Sequence, residues 1–347
     1  MRLPERIEAF AELGSILRET LEGRKNKYSD KIENLIARQQ TINPWFTPEN
    51  VRMALKAISV NLTEEKLKEW TGRYPELNLD YPPVNVGVIM AGNIPLVGFH
   101  DFLSVLITGN RVMARTSSKD PELPVVIAEI LYDINGEFRD LIEFSDGVIK
   151  GFDAVIATGS NNTSRYFEYY FGKYYSLIRK NRNSVAIITG NEDESELERL
   201  GEDIFSYFGL GCRNVSKIFI PEYSDPGSLS KYWEKYSDLI NHTKYGNNYD
   251  YYKAVYLVNK ETFIDGGFCL MKEDSAYASP VSVIYYEYYR RDEDFSFLFG
   301  PEKDKIQCIV GRGLVEFGKT QWPELWDYAD DVDTIEFLLK KNMEQAL

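Results

Sequence analysis

Cys212 is the residue of this chain whose surroundings in the sequence most clearly permit covalent chemistry. It lies in FGLGCRNVSKIFIP (208–221), between a glycine and a polar run, just before a predicted strand. A free thiol with a pKa of about 8.5 is only slightly ionised at neutral pH, but exposed backbone N–H groups and the adjacent Arg213 would raise the thiolate fraction. The pattern is compatible with a nucleophile, and also with a small buried side chain, which is the commoner fate of a lone cysteine.

The other cysteines and the histidines offer little for catalysis or metal binding. Cys269 in GGFCLM and Cys308 in IQCIV stand in apolar contexts, which favours structural roles. Three scattered cysteines and two histidines, His100 and His242, predict neither a disulfide framework nor a metal site. His242 could donate a proton, although a surface position is the more common fate of such a residue.

Composition narrows the class of protein. The 347 residues suffice for two packed domains, and 40 basic against 54 acidic residues give a net charge of −14. This balance argues against binding nucleic acid or anionic membranes, since both need clustered Lys and Arg. No apolar run approaches the about 18 residues of a membrane span, and the start, MRLPERIEAF, does not resemble a signal peptide. We therefore expect a cytoplasmic protein.

Hydrophobic periodicity predicts the elements that must position Cys212. Residues 1–75 read as helical, with Thr47 as an N-cap before Pro48. From residue 84, short β-branched runs alternate with helical stretches, which is typical of an α/β protein with a parallel sheet covered on both faces. Strands are predicted at 84–90, 111–114, 153–158 and 185–189, and helices at 121–134, 162–172 and 192–209. A second α/β unit follows, with strands predicted at 217–221, 254–259, 280–289 and 306–310. No GxGxxG or P-loop motif is present.

Four segments, in order, resemble the aldehyde dehydrogenase superfamily. AGNIPLVGFHDFLSVLITGNRVMARTSSKDP (91–121) is similar to its PWNFPL…GN.VV.KPS…TP stretch, and FDAVIATGS (152–160) to its strand ending in TGS. FGLGCRN falls where the nucleophilic cysteine is expected, and SPVSVIYY (279–286) resembles the GPV segment. More narrowly, IRKNRNSVAIITG, YFGLGCRNVSKIF and GKTQWPELWDYADDVDT (318–334) resemble the LuxC-type acyl-CoA reductases.

The resemblance implies an aldehyde-dehydrogenase-like α/β fold with two domains. We expect a helical N-terminal segment (1–80), a parallel-sheet nucleotide-binding domain (81–207), an α/β catalytic domain (208–315) and a C-terminal segment (316–347). Cys212 would be the nucleophile. Asn93 would donate its side-chain amide to the oxyanion, together with the backbone N–H of Cys212.

The cofactor residues follow from the same resemblance. Thr158, Gly159 and Ser160 match the TGS turn against the nicotinamide and pyrophosphate. Arg115, Ser117 and Lys119 would lie near the adenosine ribose, and Ser118 replaces a Glu that binds the ribose 2′-hydroxyl in many NAD-dependent members. Losing that carboxylate among basic neighbours favours NADPH, with NADH as the alternative.

Two carboxylates of the superfamily are missing from this sequence. The general-base Glu aligns with Ile178, and the ribose-binding Glu before the GPV segment aligns with Ala276. Reduction of a thioester needs no activated water, so the first loss favours an acyl-CoA reductase that releases an aldehyde. Basic residues at 179, 180 and 182 are candidates for binding CoA or cofactor phosphates.

Other functions and partners stay open. An acyltransferase or thioesterase could use the same acyl-cysteine, and a catalytically silent member could serve as a partner-binding subunit. The acyl donor would be acyl-CoA or an acyl-enzyme, which allows an acyl-transfer partner protein. A homodimer is expected only from the resemblance.

Overall fold

Apolar residues recur every three or four positions near the start of the chain, and in the computed structural model they form the buried face of helix α1 (Leu3–Leu21), where Phe10, Leu13 and Leu17 are fully buried. Three further helices follow: α2 (Ser29–Ile42), α3 (Pro48–Asn61) and α4 (Glu64–Thr71). Thr47 is the N-cap of α3, and its side chain accepts a hydrogen bond from Asn50 N at 3.3 Å, which confirms that prediction.

The structure describes residues 1–145, 147–159, 161–290 and 295–346. These form one unit of residues 1–180 with 324–347 and another of residues 181–323. The sequence divided the chain after residues 80, 207 and 315 instead, and those domain boundaries stay predictions. No helix within the described ranges is long and apolar enough to cross a membrane.

A five-stranded parallel sheet organises the first unit. Its strands are β1 (Asn85–Ile89), β2 (Arg111–Arg115), β3 (Ile142–Phe144), β4 (Ala154–Thr158) and β5 (Tyr175–Arg179), in the spatial order β3-β2-β1-β4-β5. The helices of this unit that follow α4 are α5 (Phe99–Ile107), α6 (Leu123–Ile134), α7 (Asn161–Phe171) and the C-terminal α11 (Thr334–Ala346). Apolar strand residues such as Val86, Ala154 and Ile156 are fully buried, as a sheet packed on both faces requires.

A six-stranded sheet organises the second unit, in the order β11-β6-β7-β10-β9-β8. Its strands are β6 (Asn183–Ile187), β7 (Val215–Pro221), β8 (Ile264–Asp265), β9 (Leu270–Glu273), β10 (Val283–Tyr289) and β11 (Ile306–Val310). Its helices are α8 (Glu194–Phe205), α9 (Thr243–Asn259) and α10 (Ser296–Phe299). The α/β fold class predicted from the sequence is confirmed.

The strand predicted at 254–259 is wrong, because these residues continue α9. Tyr249 and Tyr256, seven residues apart, are buried, whereas Leu257 and Val258 are 61% and 81% exposed. A spacing of seven places side chains on one face of a helix. Burial of the tyrosine face of the helix therefore outweighs the strand preference of the β-branched residues in 254–259.

A buried ion pair ties β5 to α5 and to the C-terminal part of the first unit. Arg179 donates to both carboxylate oxygens of Asp101, at 2.6 and 3.2 Å, and both side chains are less than a tenth exposed. Its remaining donors reach Ala329 O at 2.6 Å and Thr334 Oγ1 at 2.8 Å. Arg179 is thereby engaged in structural contacts, which argues against its predicted role as a phosphate ligand.

Replacing Arg179 should therefore destabilise the protein rather than affect ligand binding. Arg179→Met would leave the Asp101 carboxylate buried without its cation, which costs about 3–5 kcal/mol of unfolding free energy. Lys180→Met is the matched control, since Lys180 pairs with Glu168 on the surface and such pairs contribute about 0–1 kcal/mol. Urea unfolding of the three proteins measures this, and equal midpoints would contradict the structural role.

Candidate active site

The carboxyl ends of β1, β2 and β4 meet at one edge of the first sheet. β1 pairs in parallel with β2 on one side, with Ile89 opposite Arg115, and with β4 on the other, with Ile89 opposite Ala157. The chain runs outward to β2 and β3 and then returns to β4, so the order reverses between β1 and β4. In open α/β sheets, ligands bind in the crevice outside such a reversal.

The loops that follow β1 and β2 are packed against each other at this edge. A Cβ on Gly92 would lie 2.5 Å from Ser117 Oγ and 3.0 Å from Lys119 Cβ, so only glycine allows this approach. Asn93 comes next in the chain and is partly exposed. The structure therefore brings Asn93, Ser117 and Lys119 to adjacent loops of the same unit.

Asp120, which follows β2, links these two loops by a hydrogen bond. Its side chain is buried, and Oδ2 accepts a hydrogen bond from Leu96 N at 2.8 Å. Leu96 has a φ of 56°, a left-handed conformation that is costly for leucine. Burial raises the pKa of Asp120 to about 7, and the N–H groups of Leu96 and Leu123 oppose that rise. Holding the loop three residues after Asn93 is a role that sequence reasoning missed.

The turn after β4 also lies at this edge. Thr158 ends β4, and a Cβ on Gly159 would lie 2.9–3.0 Å from the side chains of Phe167 and Thr163 in α7. Glycine is therefore needed for the turn to lie this close to the helix that begins at Asn161. Ser160, the third predicted residue of this turn, lies outside the described residues.

Two exposed basic side chains border the edge. Arg115 ends β2, and Arg115, Ser118 and Lys119 are all exposed. Neither Arg115 nor Lys119 makes an ion pair with another of the residues that the structure describes. Both cations are therefore accessible to an anionic ligand. Position 118 between them in the loop carries a serine rather than the carboxylate of the NAD-dependent members that the sequence resembles.

Cys212 lies in the second unit, in the turn 211–214 that leads directly into β7. Asn214 fixes this turn from inside. Its buried amide accepts from Gly211 N at 2.8 Å and donates to Asp203 O and Ser206 O at 3.0 and 2.9 Å. The Asn214 side chain thus holds the backbone at Gly211, before the cysteine, and anchors its own position after the cysteine to α8 and the residue that follows it.

Neighbouring residues hold the turn from two more directions. The fully buried Ser184 donates to Cys212 O at 3.0 Å and accepts from Cys308 N at 3.1 Å. Arg213 Nε donates to Thr320 O at 2.9 Å. A turn fixed in this way would hold the Cys212 backbone in one position before any ligand binds, which would lower the entropic cost of a reaction at this residue.

The segment before the turn has an unusual backbone. Tyr207, Phe208 and Gly209 all have positive φ, of 52°, 60° and 75°. A non-glycine residue in this region costs about 1–3 kcal/mol, and such residues cluster at functional sites. The imidazole of His242 packs on the Phe208 ring with centroids 4.4 Å apart, so this candidate proton donor lies against the segment.

Burial distinguishes the three cysteines. Cys212 is partly exposed, whereas Cys269 and Cys308 are buried, as their apolar contexts predicted. Desolvation also raises the pKa of the Cys269 thiol to about 12, which suppresses its thiolate. Of the three, Cys212 alone combines access with a fixed backbone.

The two positions that lack the superfamily carboxylates have different surroundings. Ile178 lies on β5 opposite Ala157 of β4. Ala276 lies in a loop whose neighbour Ser275 accepts at its carbonyl from Lys217 Nζ at 2.9 Å. The Lys217 side chain is almost fully buried and also pairs with Glu287. Lys217 was not singled out from the sequence, although it stands in a largely apolar strand, VSKIFIP.

The third basic candidate, Arg182, is also engaged within the second unit. Its guanidinium donates to Lys303 O at 3.3 Å and Ile306 O at 3.2 Å, and the residue is 9% exposed. The prediction of a phosphate-binding IRKNRN segment is therefore unsupported at Arg179 and Arg182. Of its three basic residues, only Lys180 is exposed.

The architecture is that of the aldehyde dehydrogenases. Aldehyde dehydrogenase 21 from Physcomitrella patens superposes with a TM-score of 0.64 at 12% identity, covering 98% of this chain and 84% of that one. An aldehyde dehydrogenase from Mycobacterium tuberculosis superposes with a TM-score of 0.60 at 16% identity, covering 85% and 70%. At these identities the likeness establishes the fold and nothing finer.

Sequence comparison identifies the branch. The acyl-CoA reductase (LuxC) family matches residues 17–227, more than half of the chain, and the protein belongs to this family. A long-chain acyl-protein thioester reductase from Aliivibrio fischeri is 23% identical in an alignment of 219 residues that covers 58% of this chain and 45% of that protein. The chain thus spans less than half the length of this curated relative.

Asp120 should make stability depend on pH. The pKa of Asp120 is raised in the folded state. Its stabilising contribution to the free energy of unfolding is therefore complete below the pKa of the unfolded chain, about 3.9, and is lost as the pH rises through the folded pKa of about 7. Asp120→Asn abolishes the titration. From pH 5 to pH 8.5, wild type should lose about 2 kcal/mol of unfolding free energy that the variant keeps, so the difference between the two proteins changes by that amount.

Urea midpoints across this range measure the difference. Asp140→Asn, an exposed carboxyl in the same unit, controls for net charge. Parallel pH profiles for wild type and Asp120→Asn would contradict the assignment.

Proposed function

We propose that this protein reduces acyl thioesters to aldehydes through an acyl-enzyme on Cys212, with NADPH as the hydride donor. The observation that carries the proposal is the 211–214 turn. It holds a partly exposed cysteine between fixed backbone groups, while the other two cysteines are buried. Membership of the acyl-CoA reductase family supports the same chemistry.

The covalent step belongs to Cys212. Its thiolate attacks the thioester carbonyl carbon, a new C–S bond forms, and the donor thiolate leaves. Bound NADPH would supply the hydride that reduces the acyl carbon, and the residues of the first unit would hold this cofactor. Cleavage of the Cys212 C–S bond releases the aldehyde and restores the thiolate. Asn93 keeps its predicted role as an oxyanion donor, and such a donor contributes about 3 kcal/mol to the transition state.

The residue at 178 supports reduction over hydrolysis. An isoleucine cannot accept a proton from water, so the acyl-enzyme lacks the general base that the resemblance would place there. Hydride transfer to the acyl carbon requires no such base.

The acyl donor is either acyl-CoA or an acyl group carried as a thioester on a protein thiol. The family description supports the first. The name of the Aliivibrio fischeri relative, an acyl-protein thioester reductase, supports the second. Cytoplasmic location, a homodimer and an acyl-transfer partner remain predictions from the sequence.

The residues of the first unit fit a dinucleotide. The reversal between β1 and β4, the close approach of Gly159 to α7 and the exposed Arg115 and Lys119 lie at one edge. Basic side chains without a competing carboxylate suit a ribose 2′-phosphate, which favours NADPH over NADH.

Cys212→Ala should abolish turnover. We expect wild type to oxidise NADPH at 340 nm with a panel of acyl-CoAs and to release aldehyde and free CoA in equal amounts, whereas the variant does neither. Cys269→Ala is the matched control, since this cysteine is buried and should leave the activity intact.

The alternatives give different results in the same assay. Acyl labelling of Cys212 without NADPH oxidation would point to an acyltransferase or thioesterase. The absence of labelling with every acyl-CoA and with an acyl-protein donor would point to a silent partner-binding subunit. Either result would contradict the proposed reduction.

The basis of cofactor choice can be tested separately. Ser118→Glu would place a carboxylate against the 2′-phosphate, and Arg115→Gln would remove a charge-assisted hydrogen bond of about 1.5–3 kcal/mol. Each should lower the NADPH:NADH ratio of kcat/KM about tenfold or more. Arg111→Gln, at the other end of β2 and also exposed, is the control. An unchanged ratio in Ser118→Glu would contradict the assignment.

A further inference from the structure

The segment 318–322, GKTQW, belongs to the stretch that resembles the LuxC-type reductases, but the proposed reaction gives it no role. It lies in the second unit with Cys212, whereas the residues from 324 onward belong to the first unit. Its contacts within the second unit therefore indicate what it does there.

A buried carboxylate on α8 holds this segment in place. The side chain of Asp203 is fully buried, and its two oxygens accept hydrogen bonds from Gly318 N at 2.7 Å and Thr320 N at 3.0 Å. Gly318 has a φ of 83°, and a Cβ there would lie 3.1 Å from Arg199 Cβ. The backbone of residues 318–320 is thus confined against α8.

The same segment is bonded to the residue that follows the nucleophile. Thr320 O accepts a hydrogen bond from Arg213 Nε at 2.9 Å. From the other side, Asn214 donates to the backbone carbonyl of Asp203 at 3.0 Å. Asp203 therefore contacts both the 318–320 backbone, which accepts the hydrogen bond from Arg213, and Asn214, which fixes the turn 211–214.

We propose that Asp203 and residues 318–320 hold the guanidinium of Arg213, the residue that follows Cys212 in the turn 211–214, in one position. This inference rests on the proposed role of Cys212 as the nucleophile. Asp203 and Arg213 are positioning residues, and the reacting atom is Cys212 Sγ. Because the acyl-enzyme forms from the thiolate, the benefit of a fixed cation is a larger thiolate fraction at neutral pH.

The fixed position matters as much as the charge. A free arginine samples many rotamers, and ordering it costs up to about 2 kcal/mol of side-chain entropy. The hydrogen bond to Thr320 O supplies that order before substrate binds. The carbonyl can do so only while the 318–320 backbone is held by Asp203.

The pH dependence of Cys212 alkylation by iodoacetamide tests this positioning role without any substrate. Mass mapping of the Cys212 peptide gives the rate at each pH. We expect the wild-type midpoint to lie below about 8.5, and Arg213→Gln to raise it by about one unit. Asp203→Asn should raise it by part of that shift, although Arg213 and Cys212 are both retained.

The double variant separates positioning from general destabilisation. If Asp203 acts through Arg213, adding Asp203→Asn to Arg213→Gln produces no further shift in the midpoint, which a double-mutant cycle shows as strong coupling. Glu198→Gln, an exposed carboxylate on the same helix, is the control for neutralising one charge.

A second variant covers the case in which Asp203→Asn does not fold. Arg213→Lys keeps the positive charge and loses the Nε donor to Thr320 O, so its midpoint should lie between those of wild type and Arg213→Gln. The proposal is overturned if Arg213→Lys matches wild type, if Asp203→Asn leaves the midpoint unchanged, or if it shifts the midpoint equally in both backgrounds. Alkylation needs neither dinucleotide nor acyl donor, so failure of the reductase proposal would be seen separately in the NADPH assay.

Discussion

The parallel pairing of β1 with β2 on one side and β4 on the other is the constraint on which the first unit depends. Parallel strands need crossover connections, and these bring all carboxyl ends to one edge of the sheet. The loops bearing Asn93, the predicted ribose residues and Thr158 therefore lie at one edge, and the close approach of Gly92 to Ser117 and the hydrogen bond from Leu96 N to Asp120 hold the first two together. The strand order also reverses between β1 and β4, which is the place at which open α/β sheets commonly bind ligands.

Both units use a buried carboxylate to fix the loops at their predicted functional edges. Asp120 accepts from Leu96 N in the first unit, and Asp203 accepts from two backbone N–H groups of residues 318–320 in the second. Burial raises the pKa of both carboxyls, to about 7 and about 6. A carboxylate that is costly to bury is retained where loop N–H groups would otherwise be left without an acceptor. Burying these carboxylates lowers the free energy of unfolding, but their hydrogen bonds hold the loops in one conformation.

The sequence predicted the elements that a buried periodic pattern defines, and it failed where long-range contacts decide. β1, β2 and β4 were predicted within about two residues because each is an apolar, β-branched run. β5 and β9, YSLIR and LMKE, are short and of mixed polarity and were not predicted. The partial exposure of Cys212 followed from its glycine-rich turn. The roles of Asp120 and Asp203 could not be predicted, since an aspartate in a loop or on a helix is ordinarily exposed, and only the folded chain buries these two.

Position 178 and the turn at Cys212 belong to different units, and each bears on the proposed chemistry separately. An enzyme that hydrolyses its acyl-enzyme uses a carboxylate to activate water, and the isoleucine at 178 cannot do this. Within the second unit, the hydrogen bond from Arg213 Nε to Thr320 O orders a cation one residue after Cys212, and a cation near a cysteine favours its thiolate. Under the proposed reaction, both features would favour an acyl-enzyme that is reduced rather than hydrolysed.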